Sequence, residues 1–184
     1  NVNKYKVKFD ANGGSGTMTD QSFTYDETKV LTANIFTKSS YVFTGWNTQA
    51  DGKGTSYTDK QSIKNLTDKD DSVITLYAQW SANTYSVKFD ANGGSGTMNP
   101  NPQNLTFDKT ENLTKNTFTK VGYKFKEWNT DNKGNGTKYS DQQSVKNIGS
   151  VTLYAQWIPI NYTIKYHGHG ATSCSTSSTT IDYN

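Results

Sequence analysis

"VKFDANGGSGTM" occupies residues 7–18 and recurs letter for letter at 87–98, while the residues after each copy drift apart. Such a stretch is either a Gly-rich loop built for a ligand or the turn of a repeated building block, and the choice between them decides the fold. The surroundings favour repetition. "SYVFTGWNTQADGKGTSYTDKQSIKNL" at 40–66 answers "GYKFKEWNTDNKGNGTKYSDQQSVKNI" at 122–148, and "LYAQW" at 76–80 answers "LYAQW" at 153–157. The second copy gains residues beside Pro100 and Pro102 and loses them where "TDKDDSVIT" at 67–75 shortens to "GSVT" at 149–152. Segments that tolerate such changes read as surface loops.

The units therefore run Tyr5–Trp80 and Tyr85–Trp157, joined by "SANT". We divide the chain into a first domain at 1–81, a second at 82–158 and the opening hairpin of a truncated third at 159–184. In that last segment "YTIKYHGHG" at 162–170 lines up with "YSVKFDANG" at 85–93, and "IDYN" at 181–184 with "FTYD" at 23–26. An isolated hairpin is marginally stable. The tail is thus expected to lean on the second unit or on a neighbouring molecule, and self-association through it is open.

Within a unit the first strand alternates, with Tyr5, Val7 and Phe9 on one face and Lys6 and Lys8 on the other. Phe23 and Tyr25 mark a second strand, "YVFTGW" at 41–46 a third, and "VITLYAQW" at 73–80 a closing strand with Ile74, Leu76, Ala78 and Trp80 on one side. Asn-Gly and Gly-Gly supply the positive φ angles of hairpin turns, which gives the repeated stretch a structural reason to exist. "ETKVLTANIF" at 27–36 is a candidate short helix, and "DKQSIKNL" at 59–66 a candidate helical turn capped by Asp59. A four-stranded sheet with one helix is expected.

The trio "YKVKFDANGG", "YVFTGWNT" and "LYAQW" resembles the Listeria–Bacteroides repeat, the B repeat of internalin-type surface proteins. The resemblance covers both units nearly end to end. It implies an α+β, β-rich architecture: tandem β-grasp-like (ubiquitin-like) repeats in secreted or wall-attached proteins, each a small mixed sheet with one short helix. The "GW" of the pattern stands at Gly45-Trp46 and becomes Glu127-Trp128 in the second unit, and "DANG" becomes "HGHG" at 167–170 in the third.

Composition narrows the chemistry. Hydrophobic residues make up 32% of the 184 and aromatics 13%, so large rings supply most of the core material. All 19 basic residues are lysines, scattered along a chain of net charge +3, so the guanidinium fork that suits nucleic-acid recognition is absent. No apolar run approaches the roughly 18 residues of a membrane span. Neither nucleic acid nor membrane insertion is expected, and no cofactor. Cys174 is the sole cysteine, which leaves no internal disulfide but allows a disulfide-linked dimer.

"NGGSG" lacks the Gly-Lys-Ser/Thr and following helix of a phosphate loop. "DKDD" at 68–71 lacks the spacing and final Glu of a calcium loop. His167 and His169 share a strand face but do not complete a zinc site. No histidine or cysteine lies inside either complete unit, and no catalytic or metal-binding residue is assigned. Lys–Asn crosslinks would require a buried Lys, Asn and acid in contact, and all three types are abundant. Trp46, Trp80, Trp128 and Trp157 read as core. Tyr77 and Tyr154, on the opposite face of the closing strand, are the candidate ligand-contact residues.

The reading that follows is a non-enzymatic stalk or spacer, extracellular on a bacterial surface or cell wall, projecting an adhesive or catalytic domain. The alternative is an adhesion module that binds a host-surface protein or glycan itself, through repeated weak sites or a sheet edge.

Overall fold

The computed structural model describes residues 2–164 and 178–182. The chain divides into two compact units, Asn1–Asn83 and Thr84–Asn184. In the first, β1 (Lys4–Asp10), β2 (Gln21–Thr24), β4 (Tyr41–Asn47), β5 (Ser56–Tyr57) and β7 (Ser72–Ala82) form one sheet in the order β2-β1-β7-β4-β5. A two-stranded ribbon, β3 (Lys29–Val30) with β6 (Ser62–Ile63), accompanies it. The alternating residues of β1 dictate its place. Tyr5, Val7 and Phe9 are buried and the lysines between them exposed, so one face of the strand seeks the core and the other water.

β1 pairs antiparallel with β2 and parallel with β7, from Tyr5 opposite Ser72 to Asp10 opposite Tyr77. The first and last strands of the unit are thus neighbours running the same way. β4 joins β7 from the other side, with a register shift between Phe43 and Gly45. Trp46 fills the centre, packed by Phe9 at 4.8 Å, Phe43 at 5.0 Å and Phe36 at 6.1 Å between ring centroids. Tilted and edge-on ring pairs of this kind add about 1 kcal/mol each beyond burial.

The second unit repeats the plan with β8 (Thr84–Asp90), β9 (Gln103–Thr106), β11 (Tyr123–Asn129), β12 (Lys138–Tyr139) and β14 (Val151–Pro159) in one sheet, and β10 (Glu111–Asn112) with β13 (Ser144–Val145) as its ribbon. Trp128 takes the place of Trp46 among Phe89, Phe118 and Phe125. The two added residues near Pro100 and Pro102 put Asn101 beside β8, where its amide accepts from the Phe89 N–H (2.9 Å) and donates to the Phe89 carbonyl (2.8 Å), imitating a strand. A hairpin, β15 (Asn161–Ile164) with β16 (Thr179–Asp182), follows β14.

The expected α+β architecture with one short helix per β-grasp-like repeat is corrected here: the described residues contain no helix, and both units are all-β. The reason lies in the side chains of 27–36. Leu31 and Phe36 are the buried pair, five apart, a spacing that makes no helical stripe, while Val30 and Ile35 stand exposed. Asn34 also holds its own backbone extended: its amide accepts from the Phe36 N–H (2.9 Å) and donates to the Phe36 carbonyl (3.1 Å), competing directly with helical bonding. Nor does Asp59 cap a helical turn. It accepts the Asn34 N–H at 2.9 Å, and Lys60 beside it has φ 56°.

Candidate functional site

The Gly-rich stretch is a local turn inside a long β1–β2 connection, not a tight hairpin. Asp10 accepts the Asn12 N–H at 2.8 Å, Asn12 and Gly13 take φ of 47° and 81°, and the Gly14 N–H returns to the Ala11 carbonyl at 2.9 Å. Ser15 then exchanges two backbone bonds with Thr37, at 2.7 and 3.0 Å. The N–H groups of Asn12, Gly14 and Ser15, which a phosphate cradle would aim outward, are all engaged within the protein.

The other two motifs meet this turn. The Trp80 indole N–H donates to the Ala11 carbonyl at 2.9 Å, and a Cβ on Gly14 would stand 2.8 Å from Trp80 Cζ2 and 2.9 Å from the Thr37 carbonyl oxygen. Glycine is required here for space. The Asn12 amide donates to the carbonyls of Ala78 (2.9 Å), on β7, and Ala50 (2.8 Å), on the loop after β4. That loop is organised in turn by Asn47, whose amide donates to Gly52, Gly54 and Ser56 while its oxygen accepts from the N–H groups of Gln49 and Gly54. In the second unit Trp157 bonds Ala91 (2.9 Å), Asn92 bonds Ala155 and Asn132, and Asn129 organises the loop through Gly134 and Gly136.

Asn47 and Asn129 are the buried polar residues of the described chain, and neither was singled out from sequence. The signal was present: Asn follows Trp in both units, with Gly at the same two later positions, Gly52 and Gly54 or Gly134 and Gly136. A buried amide that satisfies a tight loop is what that spacing encodes. Tyr77 lies on β7 opposite Asp10 and Asn47, and Tyr154 opposite Asp90 and Asn129. Both are half-buried. Trp46 and Trp128 are fully buried, whereas Trp80 and Trp157 are half-buried and tied to the turn.

The remaining candidates are structural in their contacts. Asp70 of "DKDD" accepts the Lys4 N–H at 2.8 Å, and the Asp71 N–H donates to the Lys4 carbonyl, clasping the start of β1. No group of three or more His, Cys, Asp or Glu converges among the described residues. No described lysine is buried, so none reaches the buried Asn47 or Asn129 amides as a crosslink would need. His167, His169 and Cys174 lie outside the described residues.

One edge of each five-stranded sheet, β2 or β9, carries side chains bonded across it. On β2 the Ser22 carbonyl accepts the Lys29 ammonium (2.9 Å), the Thr24 N–H donates to the Glu27 carboxylate (3.1 Å), and Gln21 bonds Val30 and Thr32. On β9 the Thr106 N–H donates to Glu111 at 2.9 Å, and Gln103 bonds Asn112 and Thr114. Side chains that engage an edge backbone deny it to a partner strand.

The convergence of all three motifs on one turn agrees with what comparison finds: residues 5–79 and 85–156 each match the Listeria-Bacteroides repeat domain. The chain belongs to that family. Its repeats are similar to a protein of Evansella cellulosilytica provisionally named a Gly-rich membrane protein, 34% identical over 95% of this chain and 19% of that protein. They are also similar to Internalin H of Listeria monocytogenes, 36% identical over 66% of this chain and 20% of that protein. The chain thus spans about a fifth of these curated relatives' lengths. No solved structure matches it.

Proposed function

We propose that this repeat chain is a non-enzymatic stalk segment of a secreted or wall-associated bacterial surface protein, extracellular in location, that holds an adhesive or catalytic domain away from the envelope. The observation that carries the reading is the parallel pairing of first and last strands, β1 with β7 and β8 with β14. Each unit is entered at one end of its sheet and left at the other, and β7, at 11 residues, is long enough to cover about 36 Å. Tension applied through the ends of a unit loads the β1–β7 ladder in shear. All its hydrogen bonds must then fail together, whereas tension from one end opens them one at a time. The names of the relatives, a membrane protein and an internalin, support placement at the envelope.

The test is force spectroscopy on the chain carrying Cys174→Ser. In one arm it is held at residues 3 and 83, and in the other at residues 3 and 71, which meet at the same end of the ladder. The stalk reading expects a several-fold higher rupture force in the first arm. Equal forces would overturn it, as would saturable binding to a glycan or host-cell panel at physiological salt that Tyr77→Ser with Tyr154→Ser removes; that result would establish the adhesion alternative.

A further inference from the structure

The two units part company where the second gains residues. Met18 and Gln21 correspond to Met98 and Gln103, so Thr19 and Asp20 stand where the second unit has the four residues 99–102. From that longer segment the Asn101 carboxamide takes both backbone groups of Phe89, accepting its N–H at 2.9 Å and donating to its carbonyl at 2.8 Å.

Phe9 is the counterpart of Phe89, and β1 carries it past the end of β2, whose pairing stops with Val7 opposite Gln21. The strand fixes which way its backbone groups turn. The Asn3 carbonyl accepts the Tyr25 N–H on the β2 side, and the Lys4 carbonyl accepts the Asp71 N–H on the β7 side. Alternation then directs residues 5, 7 and 9 toward β2. On that side the Phe9 N–H and carbonyl carry no hydrogen bond among the described residues. An open hollow of about 410 Å³ lies there, lined by Phe9, Asp10, Gly16, Thr17, Met18 and Phe36.

A donor and an acceptor side by side on one strand edge define the chemistry of what they bind. A primary carboxamide offers an oxygen and an N–H along one edge and satisfies both groups at once. A carboxylate only accepts and an ammonium only donates, while a trans peptide group turns its N–H and its carbonyl to opposite sides.

We propose that the β1 edge at Phe9 is a docking point for an asparagine side chain of a partner polypeptide, seated in this hollow as Asn101 is seated against Phe89. The second unit carries its own occupant at that position and the first unit leaves it to a partner. The proposal does not rest on the stalk reading, because it concerns one backbone position and not load.

The probe is the tripeptide of residues 100–102 with acetyl and N-methylamide ends, so that Asn101 is its sole primary carboxamide. It is titrated into the full 184-residue chain carrying Cys174→Ser and followed by NMR. Before any probe is added, the Phe9 N–H should exchange with solvent at least about tenfold faster than that of Phe89. Addition should shift the Phe9 signal saturably and, at about nine-tenths occupancy, slow its exchange about tenfold. Asn101→Asp in the probe should lose the effect, and so should grafting residues 99–102 in place of Thr19 and Asp20. Equal exchange at Phe9 and Phe89 without probe overturns the assignment, since Phe9 would then already be paired. So does the lack of a saturable shift, or binding that survives either the Asp probe or the graft.

Discussion

Asp26 and Asn65 hold each other by two reciprocal bonds: the Asn65 oxygen accepts the Asp26 N–H at 2.6 Å, and the Asn65 amide donates to the Asp26 carboxylate at 3.0 Å. Both residues take left-handed backbone, φ 67° and 51°, and Asp108 with Asn147 repeats the arrangement at 62° and 55°. The pair ties the end of the first hairpin to the loop after β6. Replacing Asn65 separates its two contributions. Asn65→Gly loses the bonds but keeps the backbone free, whereas Asn65→Ala loses the bonds and adds about 1 kcal/mol of left-handed strain. Thermal unfolding should rank Ala below Gly at this position.

The same contact predicts acid sensitivity. The Asn65 amide, with the Lys64 ammonium, holds the Asp26 carboxyl below its ordinary value of 3.8. Glu111 is held low mainly by the Thr106 N–H. A group depressed in the folded state stabilises above its ordinary value and loses that contribution as pH falls through the folded one. Stability should therefore be level from neutral pH down to the ordinary carboxylate range and fall below it. Asn65→Gly should flatten the Asp26 part of that fall, as read by unfolding midpoints across an acid series.

Two adjacent glycines should fail for different reasons. Gly14→Ala drives a methyl into Trp80 and the Thr37 carbonyl, an overpacking expected to cost about 1–3 kcal/mol. Gly13→Ala meets only the end of Lys38, at 3.5 Å, but forces φ of 81° on an L residue, costing about 1–2 kcal/mol. Shortening Trp80 to Leu should relieve the ring's share of the first, leaving the Thr37 carbonyl at 2.9 Å, and leave the second unchanged. Denaturation of the double variants checks this.

Each unit has its own hydrophobic cluster, with Leu76 fully buried in one and Leu153 in the other. Leu76→Ala should cost about 2–5 kcal/mol and lower the unfolding of the first unit alone, splitting the thermal transition. Leu153→Ala should do the converse.

Asn47→Ala removes a buried amide and strips partners from Gly52, Gly54 and Gln49 in the exposed loop it organises, and is expected to cost about 1–3 kcal/mol. Amide exchange across 48–55 should rise with it.

The strands were readable because their burial alternates: Val7 and Leu76 face in, Lys6 and Thr75 do not, and a period of two needs no tertiary information. Segment 27–36 was not readable in this way. Its Leu31 and Phe36 are buried without a regular period, and the self-bonding of Asn34 holds the backbone extended between them. The turn at 10–14 looked complete in itself, yet Gly14 answers to Trp80 on the last strand, a contact no local pattern carries. The edges were the other surprise. Glu27 and Lys29 fall in the stretch expected to be helical, and their role in covering β2 appears only once the chain has folded back.

The parallel ladder also sets the order of events in time. β1 is the first strand of a unit to leave a ribosome or a secretion channel and β7 the last, and residue 5 finds its place only when residue 72 has arrived. Contacts so distant in sequence close slowly. A unit still being threaded head-first through a pore has no way to complete its sheet, so it stays unlatched until its final tryptophan is through and then shuts as a whole.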